Sequence, residues 1–82
     1  MEKSEKKELY GVVVKAVGPV IDVRFEDKHL PALLTALKII FPDGKKTLVS
    51  EVMQHIGDDT VRSVAMGATE GVERGLKVLD TE

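Results

Sequence analysis

The 82-residue chain is most informative at first through what it lacks. It has no cysteine and no tryptophan, and its only aromatic residues are one tyrosine and two phenylalanines. Without cysteine it has no disulfide, no thiolate ligand for a metal and no thiol nucleophile. Its longest apolar runs are about five residues, far short of the ~20 that a membrane-spanning helix needs.

Charge of one sign is also missing. Twelve Lys and Arg residues oppose 14 Asp and Glu residues, which gives a net charge of −2. This balance offers no attraction for a phosphate backbone or an anionic lipid surface. Six of the seven residues at 2–8 are charged and no apolar segment accompanies them, so we expect 1–8 to be a flexible charged tail rather than a signal peptide. The absence of cysteine favours the cytosol as the compartment.

The remainder, residues 9–82, has the composition of one small β domain. It is rich in β-branched residues, with 12 Val, 4 Ile and 5 Thr in the chain, and these residue types favour strands. Turn signals interrupt it at Gly18-Pro19, Pro42-Asp43-Gly44, Gly57-Asp58-Asp59 and between Gly67 and Gly71. Short strands with frequent turns are typical of an all-β sandwich or barrel.

The alternation of apolar residues between these turns predicts six strands, at 10–17, 20–25, 36–41, 46–56, 60–66 and 76–79. Imperfect alternation along 46–56 predicts a bulge. The leucine spacing within His29–Leu37 predicts one short helical turn. The fold class expected is therefore all-β, a small closed six-stranded barrel with one helical turn. Its expected buried residues are Val12, Val14, Ile21, Val23, Phe25, Val52, Val64 and Val78.

One short string has the letters of a phosphate-binding loop but not its context. Gly44-Lys45-Lys46-Thr47 matches the end of the G-x-x-x-x-G-K-[ST] pattern, yet Ile39 stands where the first glycine belongs. A hairpin turn is predicted here, not the strand-loop-helix unit that points amide groups at a phosphate. We therefore interpret it as a turn.

The histidines and the paired aspartates favour structural roles. His29 and His55 lie 26 positions apart without a metal-binding spacing, so His55 is interpreted as solvent-facing or hydrogen-bonded. Asp58-Asp59 lacks the calcium-loop pattern and is typical of a turn. No catalytic, cofactor-binding or metal-ligating residue is predicted.

Two classes of function remain open from the residues alone. A free-standing β-barrel could bind nucleic acid or peptide, but stacking platforms need aromatics in a basic groove, and this chain is poor in aromatics and slightly acidic. The other class is an interaction or structural domain without catalytic equipment.

Five strings in the chain resemble one family, the beta subunit of F-type ATP synthase. Val-Gly-Pro-Val-Ile-Asp-Val-Arg-Phe at 17–25 is similar to the start of that subunit, and Glu-Val-Met-Gln-His-Ile-Gly-Asp at 51–58 is similar to its Glu-Val-x-Gln-His-Leu-Gly-Asp. The other three are His29-Leu30-Pro31 with Ala36-Leu37, Val61 to Met66, and Thr69, Gly71, Arg74 and Gly75. The alpha subunit and the vacuolar-type homologues are less similar at the Gly-Pro-Val and Gln-His strings.

The resemblance implies that residues 9–82 are the N-terminal barrel of a three-part subunit. The phosphate-binding loop, the catalytic glutamate and the sites for MgATP and MgADP would lie in the nucleotide-binding domain, which this chain lacks, as it lacks the C-terminal domain. The barrel would then need no cofactor. It would hold together a ring of alternating alpha and beta subunits, with alpha barrels as its partners, and would bind no nucleic acid. We expect it alone to be a monomer or a weak oligomer.

The complex implied is a proton-translocating ATP synthase. Its catalytic head lies at the cytoplasmic face of a bacterial plasma membrane, or on the matrix side of an equivalent membrane, and this barrel would not insert into the bilayer.

Overall fold

Six antiparallel strands form the fold in the computed structural model, which describes residues 9–26 and 30–81. They are β1 (Leu9–Val17), β2 (Val20–Phe25), β3 (Ala36–Ile40), β4 (Thr47–Gly57), β5 (Thr60–Ala65) and β6 (Lys77–Asp80). Each predicted strand is present, and each boundary falls within one residue of its expected position.

The strands close into a barrel in the order β1-β2-β5-β4-β3-β6, with β6 returning to β1. Asp80 of β6 pairs with Leu9 on one side and with Leu37 of β3 on the other. Every strand therefore has a neighbour on both sides, and the sheet has no open edge to pair with another chain. The prediction of a closed six-stranded barrel is confirmed.

The tight turns follow from residues that accept a positive φ. Gly18 has a φ of 59° in the turn between β1 and β2, and Gly44 has a φ of 73° between β3 and β4. Asp58 and Asp59, at 57° and 59°, are the two central residues of the β4–β5 hairpin. Two successive positive φ values define a type I′ turn, whose twist matches that of the strands it joins.

The register of β1 differs from the expectation. Val13 is fully buried and pairs with Val23, while Val12 and Val14 are only half-buried. A register shift between Val13 and Lys15 marks a bulge in this strand. Three consecutive valines give no alternation from which to choose the inner face, so the expectation that Val12 and Val14 lie in the core is wrong.

The core is aliphatic with two phenylalanines. Its buried apolar residues are Val13, Ile21, Val23, Phe25, Leu37, Ile39, Phe41, Leu48, Val52, Val61, Leu76 and Val78. Val64 was expected among them but is half-buried, because it pairs with Val20 and Glu51 on the outer face of the barrel. The bulge predicted in the long strand is confirmed, since the β4–β5 register shifts between Val52 and Gln54.

Two buried serine hydroxyls, those of Ser50 and Ser63, form hydrogen bonds within this core. The Ser63 hydroxyl donates to the Ile21 carbonyl over 2.8 Å. Ser50 Oγ lies 2.9 Å from Ser63 Oγ, and since the Ser63 proton is committed, Ser50 must donate to it. No ionisable group is needed to satisfy these polar atoms inside the barrel.

The segment before β3 is a turn and not a full helix. Thr35 N–H donates to the Ala32 carbonyl over 3.2 Å, which closes one turn. Leu34 then takes a φ of 73°, and a helix cannot continue through a left-handed residue. The described residues contain no helix, and His29, where the predicted helical turn begins, lies outside them.

Candidate interaction surface

The outer surface of β4 carries a glutamate within an apolar frame. Along the strand, Glu51 stands between Val49 and Met53, which are 42% and 49% exposed. Across the sheet it pairs with Ala36 of β3 and with Val64 of β5. We refer to these five residues as the Glu51 face. Within the part of the chain that the structure describes, no ion pair or hydrogen bond engages the Glu51 carboxylate.

Further exposed apolar side chains extend this face. Met66, 64% exposed, follows β5 and donates its N–H to the Val49 carbonyl over 2.8 Å. On the opposite side of β5, Val64 pairs with Val20, which pairs in turn with Val17, 60% exposed. Apolar residues in neighbouring positions on several strands form a patch, and such patches mark interaction sites more often than scattered residues do.

A second exposed apolar feature, Leu33 and Leu34, lies beside β4. Their side chains are 55% and 66% exposed, and their backbone is fixed on both sides. Leu34 N–H donates to the Val52 carbonyl over 2.7 Å, and the ring nitrogen Nε2 of His55 lies 2.7 Å from the Pro31 carbonyl. Two leucines are thereby held in solvent by a turn that β4 anchors.

The predicted role of His55 as a hydrogen-bonded structural residue is confirmed by this bond. Since the Pro31 oxygen can only accept, His55 donates through Nε2. His29 lies outside the described residues.

The aspartates of the predicted turns behave differently from one another. Asp58 and Asp59 form the β4–β5 turn as expected, through their backbone conformation. Asp43 instead uses its side chain, because Oδ1 accepts from the N–H groups of Lys45 and Lys46 over 2.8 and 2.9 Å. The Lys46 and Lys45 amides lower the pKa of Asp43. The string at 44–47 is thus a hairpin turn, as predicted, and an aspartate already occupies the amides of its two lysines.

An ion pair links β2 and β5 on the outer wall. Nε and Nη2 of Arg62 donate to the two carboxylate oxygens of Asp22 over 2.9 and 3.0 Å. The hydrogen bond to Asp22, with its negative charge, raises the pKa of Arg62. Together with Lys15, Val17 and Val20, the pair lines an open groove of about 240 Å³. The two residues stand directly opposite each other in the β2–β5 ladder, and the bidentate geometry suits that register.

Among residues 9–26 and 30–81, no cluster of three or more His, Asp or Glu side chains could hold a metal ion. No helix in these ranges has the length and apolar character to cross a bilayer. The sequence prediction that no residue binds a cofactor remains a prediction.

Sequence reasoning missed the Glu51 face, although a signal was present. Apolar residues in β4 occur in adjacent pairs, Leu48-Val49 and Val52-Met53, and a half-exposed strand has them at alternate positions. The interruption predicts a bulge, which is present. The adjacent pairs also indicate that both faces of the strand carry apolar side chains. An apolar outer face of this kind is suited to contact with another protein.

The geometry defines a small all-β domain, a closed barrel with an apolar patch on its outer wall. A comparison with known families gives the particular class. The sequence matches the ATP synthase alpha/beta family, beta-barrel domain, over residues 5–82. The match covers nearly the whole chain, and the protein belongs to this family.

Proposed function

We propose that this chain is the N-terminal barrel of the beta subunit of an F-type, proton-translocating ATP synthase. In this role it would hold together the ring of alternating alpha and beta subunits while the domains that bind nucleotide change shape. The observation that carries the proposal is the family match over residues 5–82. The closed barrel with an apolar outer patch is a suitable building block for such a ring, since its backbone bonds are internally satisfied and contacts fall to side chains.

The assignment to beta rather than alpha rests on two of the strings that resemble the beta subunit. Gly18-Pro19 forms the β1–β2 turn and Val20 begins β2, while Gln54-His55 lies in β4. The His55 ring contacts the Pro31 carbonyl, and so links the Gln-His string to the His-Leu-Pro string. Residues from separate strings thus cooperate in fixing one local structure, the turn that exposes Leu33 and Leu34.

Catalysis, in this proposal, belongs to a nucleotide-binding domain elsewhere in the full-length subunit. Phosphate binding requires free amides at a helix N-terminus and a lysine that reaches the phosphates. The amides of Lys45 and Lys46 are instead bound to the Asp43 carboxylate, whose negative charge would repel a nucleotide. We therefore expect this barrel to bind no MgATP tightly and to require no cofactor.

This absence of catalysis has a direct test. MgATP is titrated into the purified 82-residue chain by calorimetry, and phosphate release is assayed in parallel. We expect neither binding nor turnover. A stoichiometric site tighter than about 10 μM, or about −7 kcal/mol, would mean that the barrel itself contains a nucleotide pocket.

The proposed setting follows from the same assignment. The barrel would contact alpha subunits of the synthase through neighbouring barrels. The complex would lie at the cytoplasmic face of a bacterial plasma membrane, or at the matrix side of an equivalent membrane, and this domain would not enter the bilayer.

The alternative, a free-standing module that binds nucleic acid or peptide, has little support in the structure. Of the three aromatic residues, Phe25 and Phe41 are buried in the core. Only Tyr10, 42% exposed, reaches the surface. A single exposed ring does not make the stacking platform on which single-stranded nucleic acid binds.

The proposal is tested by assembly. The chain is mixed with purified alpha subunits of the F-type ATP synthase from the same source, and the mixture is analysed by sedimentation velocity. We expect the chain alone to sediment as a monomer or weak oligomer, because a ring of one kind of barrel lacks half of its heterologous contacts. A stable hexamer of the chain alone at micromolar concentration, or no association with alpha subunits, would contradict it.

A further inference from the structure

The Glu51 face combines features that are hard to explain in an isolated domain. Glu51 is a half-buried residue, and apolar residues stand on all four sides of it, namely Val49, Met53, Ala36 and Val64. Lys38 pairs with Val49 and so lies diagonally from Glu51, yet no ion pair joins them in the described part of the chain.

Burial of this face against another surface would strip the remaining water from the carboxylate. An ion that loses water without gaining an opposite charge opposes association strongly. The apolar frame favours contact while its central charge forbids contact with a purely apolar partner. A partner that brings a cation to the centre of the frame fits both features, and fits them better than a neutral donor because hydrogen bonds between two charged groups are stronger.

We propose that the Glu51 face is a docking surface for a neighbouring barrel of the alpha/beta ring, and that the neighbour places an arginine or lysine side chain on Glu51. This inference rests on the proposed function, and it adds the face and the chemistry of the partner. Arginine suits the site better, because its planar guanidinium binds a carboxylate through two hydrogen bonds and tolerates an apolar surround.

A second copy of this chain is a poorer occupant. A two-fold dimer centred on the Glu51 face would bring two carboxylates together at its axis, since each subunit contributes the same patch. Like charges in contact at an interface suppress the wrong partner. The face therefore selects against self-association and for a partner of complementary charge.

The test is a charge series at Glu51 with a matched control. Glu51→Gln removes the charge at nearly constant size, and Glu51→Lys reverses it. Glu73→Lys makes the same reversal at an exposed site between β5 and β6. That segment is joined to β1 through the Gly75 N–H and the Val13 carbonyl, 2.8 Å apart, and β1 is the strand farthest from β4 around the barrel.

The measurement is the dissociation constant of the chain with purified alpha subunits, by sedimentation at fixed ionic strength. We expect at least about 30-fold weaker binding for Glu51→Gln and at least about 100-fold for Glu51→Lys, in the range of losses when one partner of a buried ion pair is removed. Glu73→Lys should bind as the original chain does. Thermal unfolding of each variant checks that the barrel stays folded.

A second measurement locates the contact directly. A photo-reactive benzoylphenylalanine replaces Met53, which is about half exposed and needs no repacking. Cross-linking to the alpha subunit, followed by peptide mapping, should identify a segment that contains an arginine or lysine. Cross-links to a segment without either residue would overturn the proposed partner chemistry.

The outcomes separate the two proposals. If the chain associates with alpha subunits and all three charge variants do so equally, the proposed function stands and the Glu51 face is not the docking surface. If the unmodified chain does not associate with alpha subunits, the proposed function itself fails. Dimers of the chain that cross-link through position 53 would overturn the selection against self-association.

Discussion

Gly11 tests whether the inner wall of the barrel is packed as tightly as the structure indicates. This glycine pairs with Phe25 on one side and with Val78 on the other. A Cβ atom built on it would lie 2.8 Å from the Arg24 carbonyl oxygen and 2.9 Å from two ring carbons of Phe25. The Phe25 ring is 1% exposed and covers the glycine, so neither neighbour can move without disturbing the core or the β1–β2 ladder.

The expected effect of Gly11→Ala can be worked from these contacts. Alanine in place of a strand glycine should by itself stabilise by about 0.5–1 kcal/mol. Overpacking a filled core costs about 1–3 kcal/mol, and a clash with backbone places this site in the upper half of that range. We expect a net destabilisation of about 1–2 kcal/mol, which lowers the ratio of folded to unfolded protein by about 5- to 30-fold.

Urea denaturation followed by circular dichroism measures this change, which should appear as a lower midpoint at constant slope. Gly67→Ala is the control, because its Cβ would meet only Leu48 Cδ1 at 3.4 Å, an ordinary contact. That variant should be neutral or slightly stabilised, by up to about 1 kcal/mol. In a Phe25→Leu background, which has its own cost, the further loss caused by Gly11→Ala should be smaller than in the original chain, because the shorter side chain leaves room for the new Cβ. Equal stabilities of the two alanine variants would refute the argument.

Three further predictions concern polar groups. Ser63→Ala should destabilise the barrel by about 1–3 kcal/mol, because it removes the acceptor of the Ser50 hydroxyl. In urea unfolding, the loss of stability of the Ser50→Ala/Ser63→Ala double variant should be smaller than the sum of the losses of the two single variants. Arg62→Ala should lower the free energy of unfolding more than Asp22→Ala does, since it leaves the Asp22 side chain, 6% exposed, without its partner, whereas the Arg62 side chain, 40% exposed, stays hydrated when Asp22 is lost; equal losses would contradict this asymmetry. The lowered pKa of Asp43 means that the ionised Asp43 carboxylate stabilises the folded barrel. This stabilisation is complete above about pH 4 and is lost as the pH falls through the pKa of Asp43 in the folded state. The stability difference between the original chain and Asp43→Asn should therefore shrink in acid, and a difference independent of pH from 7 to 2 would exclude this role.

The positions of the strands along the chain could be predicted because the turns between them contain residue types that turns require. Gly18-Pro19, Pro42-Asp43-Gly44 and Gly57-Asp58 are residues that turns require, and the structure has turns at all three. Alternation then fixed the inner face of β2, where Ile21, Val23 and Phe25 are buried as expected.

Sequence reasoning failed where local pattern does not determine the answer. Val12 to Val14 gives the same residue at every position, so the bulge and the pairing with β2 decide which valine faces inward. The leucine spacing predicts one helical turn, and a single turn closes at 32–35, but two backbone bonds to Val52 fix it beside β4 and its leucines are exposed. Bonds to a strand distant in sequence override the local preference.

The Glu51 face was harder to predict from the sequence than the strands were. Glu51 acquires its apolar frame from β4 itself and from Ala36 and Val64, which belong to two other strands. Strand pairing must be known before these residues can be placed together. The tether between His55 and Pro31 likewise joins residues 24 positions apart.

Closure of the barrel by β6 has a consequence for how the protein is made. β6 is inserted between β1 and β3, and its pairing of Asp80 with Leu9 joins opposite ends of the described chain. Such distant pairings must meet their loop-closure cost before their contacts form, and this slows folding. On the ribosome, β1 and β3 must wait with exposed edges until residues 77–80 emerge. During that interval the nascent chain can pair with strands of other chains. The exposure of these edges ends only when β6, the shortest strand of the barrel, pairs with β1 and β3.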